Sequence, residues 1–356
     1  TPRSNHTGPA ELQLARYGSL FLDSQFEDGS DGNLYEYELI YYPTSADKDD
    51  FKRPQPDSVV GTPIRDLGDE KEDYRWNFLL RGNQERDEFA SIMRFAKLFS
   101  KPTEEFEAEL EEVVDVDRWL QGMAFALLSG AGDQYGANSQ HNGMFYQRPD
   151  GRIICFPHDL DFAFSASRSI TENTELKKII RIDAHKRTYL AHLNNILTTT
   201  LNEGYMTRWA EHFGELLPGQ NFNGHLSYIV SRSKNAQQQV SRMAPERTFD
   251  ITTNDGADLS VDSLSVTIEG RGGLDVYRLR HVETGVDWEP EWTGLDTWKL
   301  TLPLQPGAAN VITLQGVDVL GTTGSIFAPV GKDSITITST AEAPVSGVDP
   351  IAISVN

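Results

Sequence analysis

The hydrophobic period of this chain changes once, and that change limits its fold more than any other feature. Before Pro245, apolar residues return at helical spacing, as at Val116, Trp119, Leu120, Met123 and Leu127, which share one helix face. After Pro245 they alternate: Leu264, Val266 and Ile268; Trp298, Leu300, Leu302 and Leu304; Ile312 and Leu314; Ile335 and Ile337. Period two punctuated by Gly, Asp and Pro marks strands with one buried face. These two patterns need separate cores, and 356 residues exceed one ordinary core. The fold class is therefore α+β over residues 1–246, then an all-β domain over 247–340 and an Ala, Pro, Ser and Gly-rich linker over 341–356. About 90 residues of short strands fit an antiparallel sandwich of immunoglobulin type. The cysteine pair of a true immunoglobulin domain is absent, since Cys155 is the single cysteine.

Charge narrows the partners. With 53 acidic against 32 basic residues the formal net charge is −21, which repels nucleic-acid phosphates and anionic membranes and excludes both as bulk partners. No apolar run approaches the ~20 residues of a membrane-crossing helix, so membrane insertion is not expected. A hydrophobic content of 38% and six tryptophans describe a chain able to bury a sizeable core. Cys155, inside Ile153-Ile154-Cys155-Phe156, reads as a buried structural thiol. Thr1-Pro2-Arg3 has no signal-peptide character, and the chain reads as part of a longer or processed polypeptide. Asn5-His6-Thr7 is a glycosylation sequon.

Residues 17–22 and 34–42 read as two extended runs of a hairpin, joined by Asp28-Gly29-Ser30-Asp31-Gly32-Asn33. That turn lacks the terminal Glu of a calcium loop and reads as a solvated turn. The period becomes helical from Asp87, the acidic run 104–112 is the wet face of one helix, and Asp115 or Asp117 caps the next. Further helices are expected over 185–201, with Tyr189, Leu193, Ile196 and Thr200 on one face, and over 225–243.

Chemistry concentrates where the sequence reads Gly132-Asp133-Gln134-Tyr135-Gly136-Ala137-Asn138-Ser139-Gln140-His141-Asn142-Gly143-Met144-Phe145-Tyr146, then Phe156-Pro157-His158-Asp159-Leu160-Asp161-Phe162-Ala163-Phe164. A helix ends in a polar loop, a strand follows at Met144, Pro149-Asp150-Gly151 turns the chain, and a second strand leads into two Asp. Phosphoryl transfer needs a carboxylate at the attacking hydroxyl and oxygen ligands that hold divalent metal against nucleotide phosphates. Protein kinases supply these groups in the same order. A hairpin brings its flanking loops to one edge, so Asp133, Asn142 and Asp161 are expected to converge. In the plainer alternative Asp133 stops a helix, the Asn residues fill a loop and Asp159 with Asp161 make a turn.

In these residues the chain resembles the CotH (spore coat protein H) family of atypical kinases, whose loop of Asp and Asn-Asn-Tyr precedes Pro-Trp-Asp-Leu-Asp or a relative of it. The resemblance implies an atypical kinase-like domain, with partial N-lobe strands and a helical C-lobe, followed here by the immunoglobulin-like sandwich. It implies a secreted or cell-surface protein that uses ATP with Mg2+ or Mn2+ to phosphorylate proteins. Position by position it implies Asp133 as catalytic base, Asn142 as nucleotide and metal ligand, and Asp161 as the metal-binding Asp, with Asp159 assisting and Asn138 the rival amide. Asp161-Phe162-Ala163 is similar to the Asp-Phe-Gly of kinases. The sequence departs from the family at His158, where Trp is usual, and at Gly143, where a second Asn is usual. The family strands that carry a nucleotide-clamping lysine ahead of the 17–42 segment have no counterpart here, and the domain reads as N-terminally incomplete.

His141 and His158 flank the acidic loop, but their spacing matches no zinc pattern, and oxygen donors favour magnesium, manganese or calcium. Arg181, Lys186 and Arg187 read as solvated helix charges in preference to phosphate ligands. Trp288, Trp292 and Trp298 read as core aromatics in preference to a carbohydrate platform. Two functions follow: a protein kinase, or a catalytically inactive scaffold or adhesion module with a structural surface partner. A calcium-stabilised binding protein is the third reading.

Overall fold

In chain order the first unit, residues 1–243, contains α1 (Ser19–Gln25), β1 (Asn33–Tyr37), β2 (Ile40–Tyr42), β3 (Ser58–Val60), α2 (Glu72–Arg75), β4 (Phe78–Leu80) and α3 (Ala90–Leu98). It continues through α4 (Thr103–Val113), α5 (Val116–Ser129), β5 (Gly143–Gln147), β6 (Ile153–Pro157), α6 (Thr174–Ile179), α7 (Asp183–Thr199), α8 (Glu203–Leu216) and α9 (Asn223–Met243). The computed structural model describes residues 16–42, 58–217, 221–244, 246–322 and 330–343. The Asn5 sequon and residues 344–356 of the expected linker lie outside them.

Four strands form an antiparallel sheet in the order β4-β1-β5-β6. Strand alternation divides its side chains. Tyr35, Tyr37 and Phe145 face a core of rings that includes Phe78, Phe89, Phe95 and Tyr135. Leu34, Met144, Tyr146 and Ile154 face the other way and meet Leu22 of α1. Helix α5 lies so close to β6 that a Cβ on its Gly122 would stand 2.3 Å from the Cys155 carbonyl oxygen. Cys155 is buried and free, and burial pushes its thiol far above the usual range.

The hairpin expected over residues 17–42 does not form. Its first run is helix α1, and its second pairs with β4 and β5, distant in sequence. A strand would put Leu20 and Leu22 on one side, whereas the helix leaves Leu20 85% exposed and buries Leu22 at 3%. Tyr17 and Phe21, one turn apart, pack against Phe156 with ring centres 5.0 and 5.7 Å away. The capping alternative resolves to Asp115, whose carboxylate accepts from the Arg118 amide. Asp117 instead meets His192 at 2.9 Å.

Along α7 the buried stripe is Tyr189, Leu190, Leu193 and Leu197. Ile196 drifts to the stripe's edge and Thr200 is an exposed C-cap, because a 3.6-residue period continues Tyr189 and Leu193 to Leu197. Arg187, expected in solvent, is buried on this helix. Helix α8 buries none of its residues and so lacks a core-facing stripe; Asn202 caps it by accepting from the Tyr205 amide at 3.0 Å.

The second unit, residues 244–356, contains β7 (Asp250–Ile251), β8 (Leu259–Val261), β9 (Ser265–Arg271), β10 (Arg278–His281), β11 (Val286–Trp288), β12 (Glu291–Trp292), β13 (Thr297–Pro303), β14 (Ala309–Val317) and β15 (Lys332–Ser339). Two sheets result, ordered β12-β13-β9-β7 and β11-β10-β14-β15-β8. Val266, Ile268, Trp298, Leu300 and Leu302 of the first share one core with Leu279, Ile312, Leu314, Ile335 and Ile337 of the second. Leu264 leaves the alternation and is 40% exposed, because it lies past the last pair of its strand, Ser265 with Pro303. Trp298 is buried, and Trp288 and Trp292 pack against the same core. The pairing of β8 with β15 is parallel.

Candidate functional site

Two loops meet because one helix end is capped from a distance. Gly130 ends α5 in the left-handed region at φ 68°, and a Cβ there would lie 1.8 Å from the Tyr228 hydroxyl and 2.6 Å from the Ala166 carbonyl. The helix's terminal carbonyls find donors in the segment after β6: Phe164 N donates to Ser129 O at 2.7 Å and Ala166 N to Gly130 O at 3.1 Å. Arg232 of α9, buried, donates to Leu127 O at 2.7 Å and to Arg168 O at 2.6 Å. The chain after Asp161 is thereby tied to the helix that leads into Asp133.

The hairpin closes the other side. Its turn is held by Arg148 N donating to Arg152 O at 2.8 Å, with Gly151 at φ 89°. Gly143 pairs with Pro157, so Asn142 and His158 leave the sheet at the same edge. Asp159, Asn138, Asn142 and Phe164 all have positive φ, a conformation that Asn and Asp tolerate and that makes Phe164 the outlier among them.

Asp133 receives the His141 ring at 2.7 Å and the Ser139 hydroxyl at 3.4 Å, both on Oδ1. Its carbonyl accepts from Asn142 Nδ2 at 2.7 Å. Asn138 is placed differently: its amide donates to Glu172 O and its oxygen accepts from the Thr174 amide, both at 2.9 Å. Asp159 and Asp161 lie past β6 in the loop and are exposed. Loss of hydration lifts the Asp161 carboxyl above the usual range, and the negative charges of Asp159 and Asp133 lift it further. Asp161 is thus the carboxylate that feels the other two.

The candidate donors are all oxygens: the carboxylates of Asp133, Asp159 and Asp161 and the side-chain amide of Asn142. Among the described residues no three His, Cys, Asp or Glu side chains gather into a metal cage. The set suits a hard divalent cation shared with phosphate, because magnesium is ordinarily held by one or two carboxylates and by phosphate oxygens. Among the described residues no lysine or arginine pairs with Asp133, Asp159 or Asp161. Arg168 reaches the loop backbone, with Nη2 3.5 Å from Gly132 O and Nη1 on Glu172 at 2.7 Å. Local sequence gave no sign of Arg168, Arg232 or the His141 contact. A cavity of about 790 Å³ opens elsewhere, lined by Lys71, Asp87, Phe89, Lys97 and Lys101, whose lysines pair with Asp87, Asp69 and Glu109.

Beneath the loop, Asn173 caps α6 and donates to Tyr135 O at 3.0 Å. Glu175 of that helix is half-buried near Tyr135, and loss of hydration raises its carboxyl above the usual range. The folded protein therefore holds this proton more tightly than the unfolded chain, so the residue's contribution is favourable at low pH and lost as pH rises through the raised value. Glu175→Gln is expected to melt with wild type near pH 4, about the ordinary carboxyl pKa, and above it at pH 7. Thermal melts at both pH values check this, and a lower melting temperature at pH 7 would contradict it.

A family model described as CotH kinase protein matches residues 12–243, well over half of the 356-residue chain. Among curated proteins nothing matches.

Proposed function

Since this chain belongs to the CotH kinase family, we propose that it moves the γ-phosphoryl group of ATP to hydroxyl groups of proteins. Asp133 is the base. The acceptor oxygen attacks the γ-phosphorus, the bond from that phosphorus to the β–γ bridging oxygen breaks, and the acceptor proton passes to Asp133 as ADP leaves. Asn142 and Asp161, assisted by Asp159, would hold magnesium or manganese, with calcium the alternative ion. Bound there, the metal supplies charge neutralisation at the phosphates. Asn142 Nδ2 also fixes the backbone of Asp133, so one side chain orients the base while offering its oxygen to the metal.

The observation that carries this reading is the convergence at one hairpin edge. It is supported by the pairing of Gly143 with Pro157, after which Asn142 and the segment leading to Asp159 and Asp161 leave the sheet at one edge, and by the upward pull of the Asp159 and Asp133 charges on the Asp161 carboxyl. Like charges drawn together without a basic partner suit a cation. A secreted or cell-surface location and a protein substrate complete the proposal. The order of the two sheets in the second unit supports an immunoglobulin-like spacer.

Titration calorimetry of ATP with Mg2+ or Mn2+ tests the site. Wild type is expected to bind, and Asp161→Ala to bind at least about tenfold more weakly, since loss of even an outer-shell partner of a metal ligand typically costs that much. A second reading, an inactive scaffold, draws on the lack of a lysine or arginine paired with the acidic residues among those described. Absence of metal-dependent ATP binding by wild type would favour it.

A further inference from the structure

We propose that His141 is a positioning residue for Asp133, an assignment that rests on the phosphotransfer reading. The imidazole stands between two carboxylates, with Nε2 2.7 Å from Asp133 Oδ1 and Nδ1 4.0 Å from Glu38 Oε1. A carboxylate oxygen accepts, so Nε2 carries the proton and donates. At 4.0 Å the Glu38 contact is too long for a hydrogen bond. Glu38 is itself held, its backbone amide donating to Asn77 O at 2.9 Å and its Oε1 accepting from Leu39 N at 2.8 Å.

Burial divides the roles. The His141 side chain is 14% exposed, whereas the Asp133 side chain is 49% exposed. An enclosed ring thus grips one oxygen of an open carboxylate. Ser139 donates to that same oxygen, and among the described residues Oδ2 receives no hydrogen bond. His141 therefore fixes the carboxylate plane and leaves Oδ2 as the atom that takes the acceptor proton. The contact also explains a histidine at the acidic loop that no zinc pattern accounts for. Orientation of a reacting group, not its presence, is what the residue supplies.

Steady-state kinetics separate this role from a structural one. His141→Ala is expected to lower kcat about 30-fold with the ATP KM within about twofold, because only the aim of the base is lost. His141→Gln, whose side-chain amide reaches the same place as Nε2, is expected to recover most of the rate. Unchanged kcat in His141→Ala, or a rise in KM alone, would overturn the assignment. Nitrogen-15 spectra of the imidazole give a readout independent of activity: the Nε2–H tautomer in wild type, shifting toward a mixture in Asp133→Ala. An Nδ1–H tautomer, or ring signals indifferent to Asp133→Ala, would overturn it as well. Wild type without phosphotransfer but with the expected spectra would sink the kinase reading and the catalytic role while leaving the contact itself established.

Discussion

Asp133→Asn is expected to slow phosphoryl transfer about 1,000-fold, within the span that general bases contribute, while nucleotide affinity stays nearly unchanged. The substitution keeps the side chain's shape. Its amide oxygen still accepts from His141 and Ser139, and the backbone carbonyl still accepts from Asn142. What disappears is the capacity to take a proton, so the loss of about 4 kcal/mol falls on the transition state. Single-turnover transfer of radiolabelled γ-phosphate to a mixture of hydroxyl-bearing proteins measures the rate, and calorimetry measures the affinity. An unchanged rate would remove Asp133 from the chemistry.

Arg232→Met is expected to cost about 4 kcal/mol of stability in the first unit, from stranded acceptors and imperfect refilling of the site. The guanidinium is fully buried, donates to the carbonyls of Leu127 and Arg168, and reaches Asn235 Oδ1 at 3.4 Å. Burial lowers its pKa from the usual arginine value, yet the side chain remains charged at any ordinary pH. A positive group at the end of α5 also complements the negative end of that helix. Methionine fills much of the volume and offers no donor. Scanning calorimetry should show one transition moving down while that of the β unit stays in place. A shift of less than about 1 kcal/mol, the net worth of a single ordinary hydrogen bond, would mean that water replaces the guanidinium.

Periodicity made the parts that follow from neighbours in sequence legible. Helix α5 was visible in Val116 to Leu127, and the β5–β6 hairpin in Pro149-Asp150-Gly151 between two apolar runs. The hairpin in turn announced that Asn142 and the Asp159 loop would share an edge. Segment 17–22 was misread because an apolar run of six residues fits either period, and its burial depends on Phe156, far along the chain. Arg187 was misread for a related reason. Charge suggests solvent, and only the packing of α7 reveals which side of the helix a residue occupies. Contacts such as Arg232 to Leu127, or His141 to Glu38, have no local signature at all, since each joins segments that only the fold makes adjacent.

The parallel pairing of β8 and β15 has a mechanical consequence. Leu259, Ser260 and Val261 run alongside Ile337, Thr338 and Ser339, near the start and finish of the second unit. Tension between those two ends pulls parallel strands in opposite directions along their length. The ladder bonds, together with that from Thr340 N to Val261 O at 2.9 Å, are then loaded in shear and must fail together, not one after another as in a hairpin unzipped from its open end.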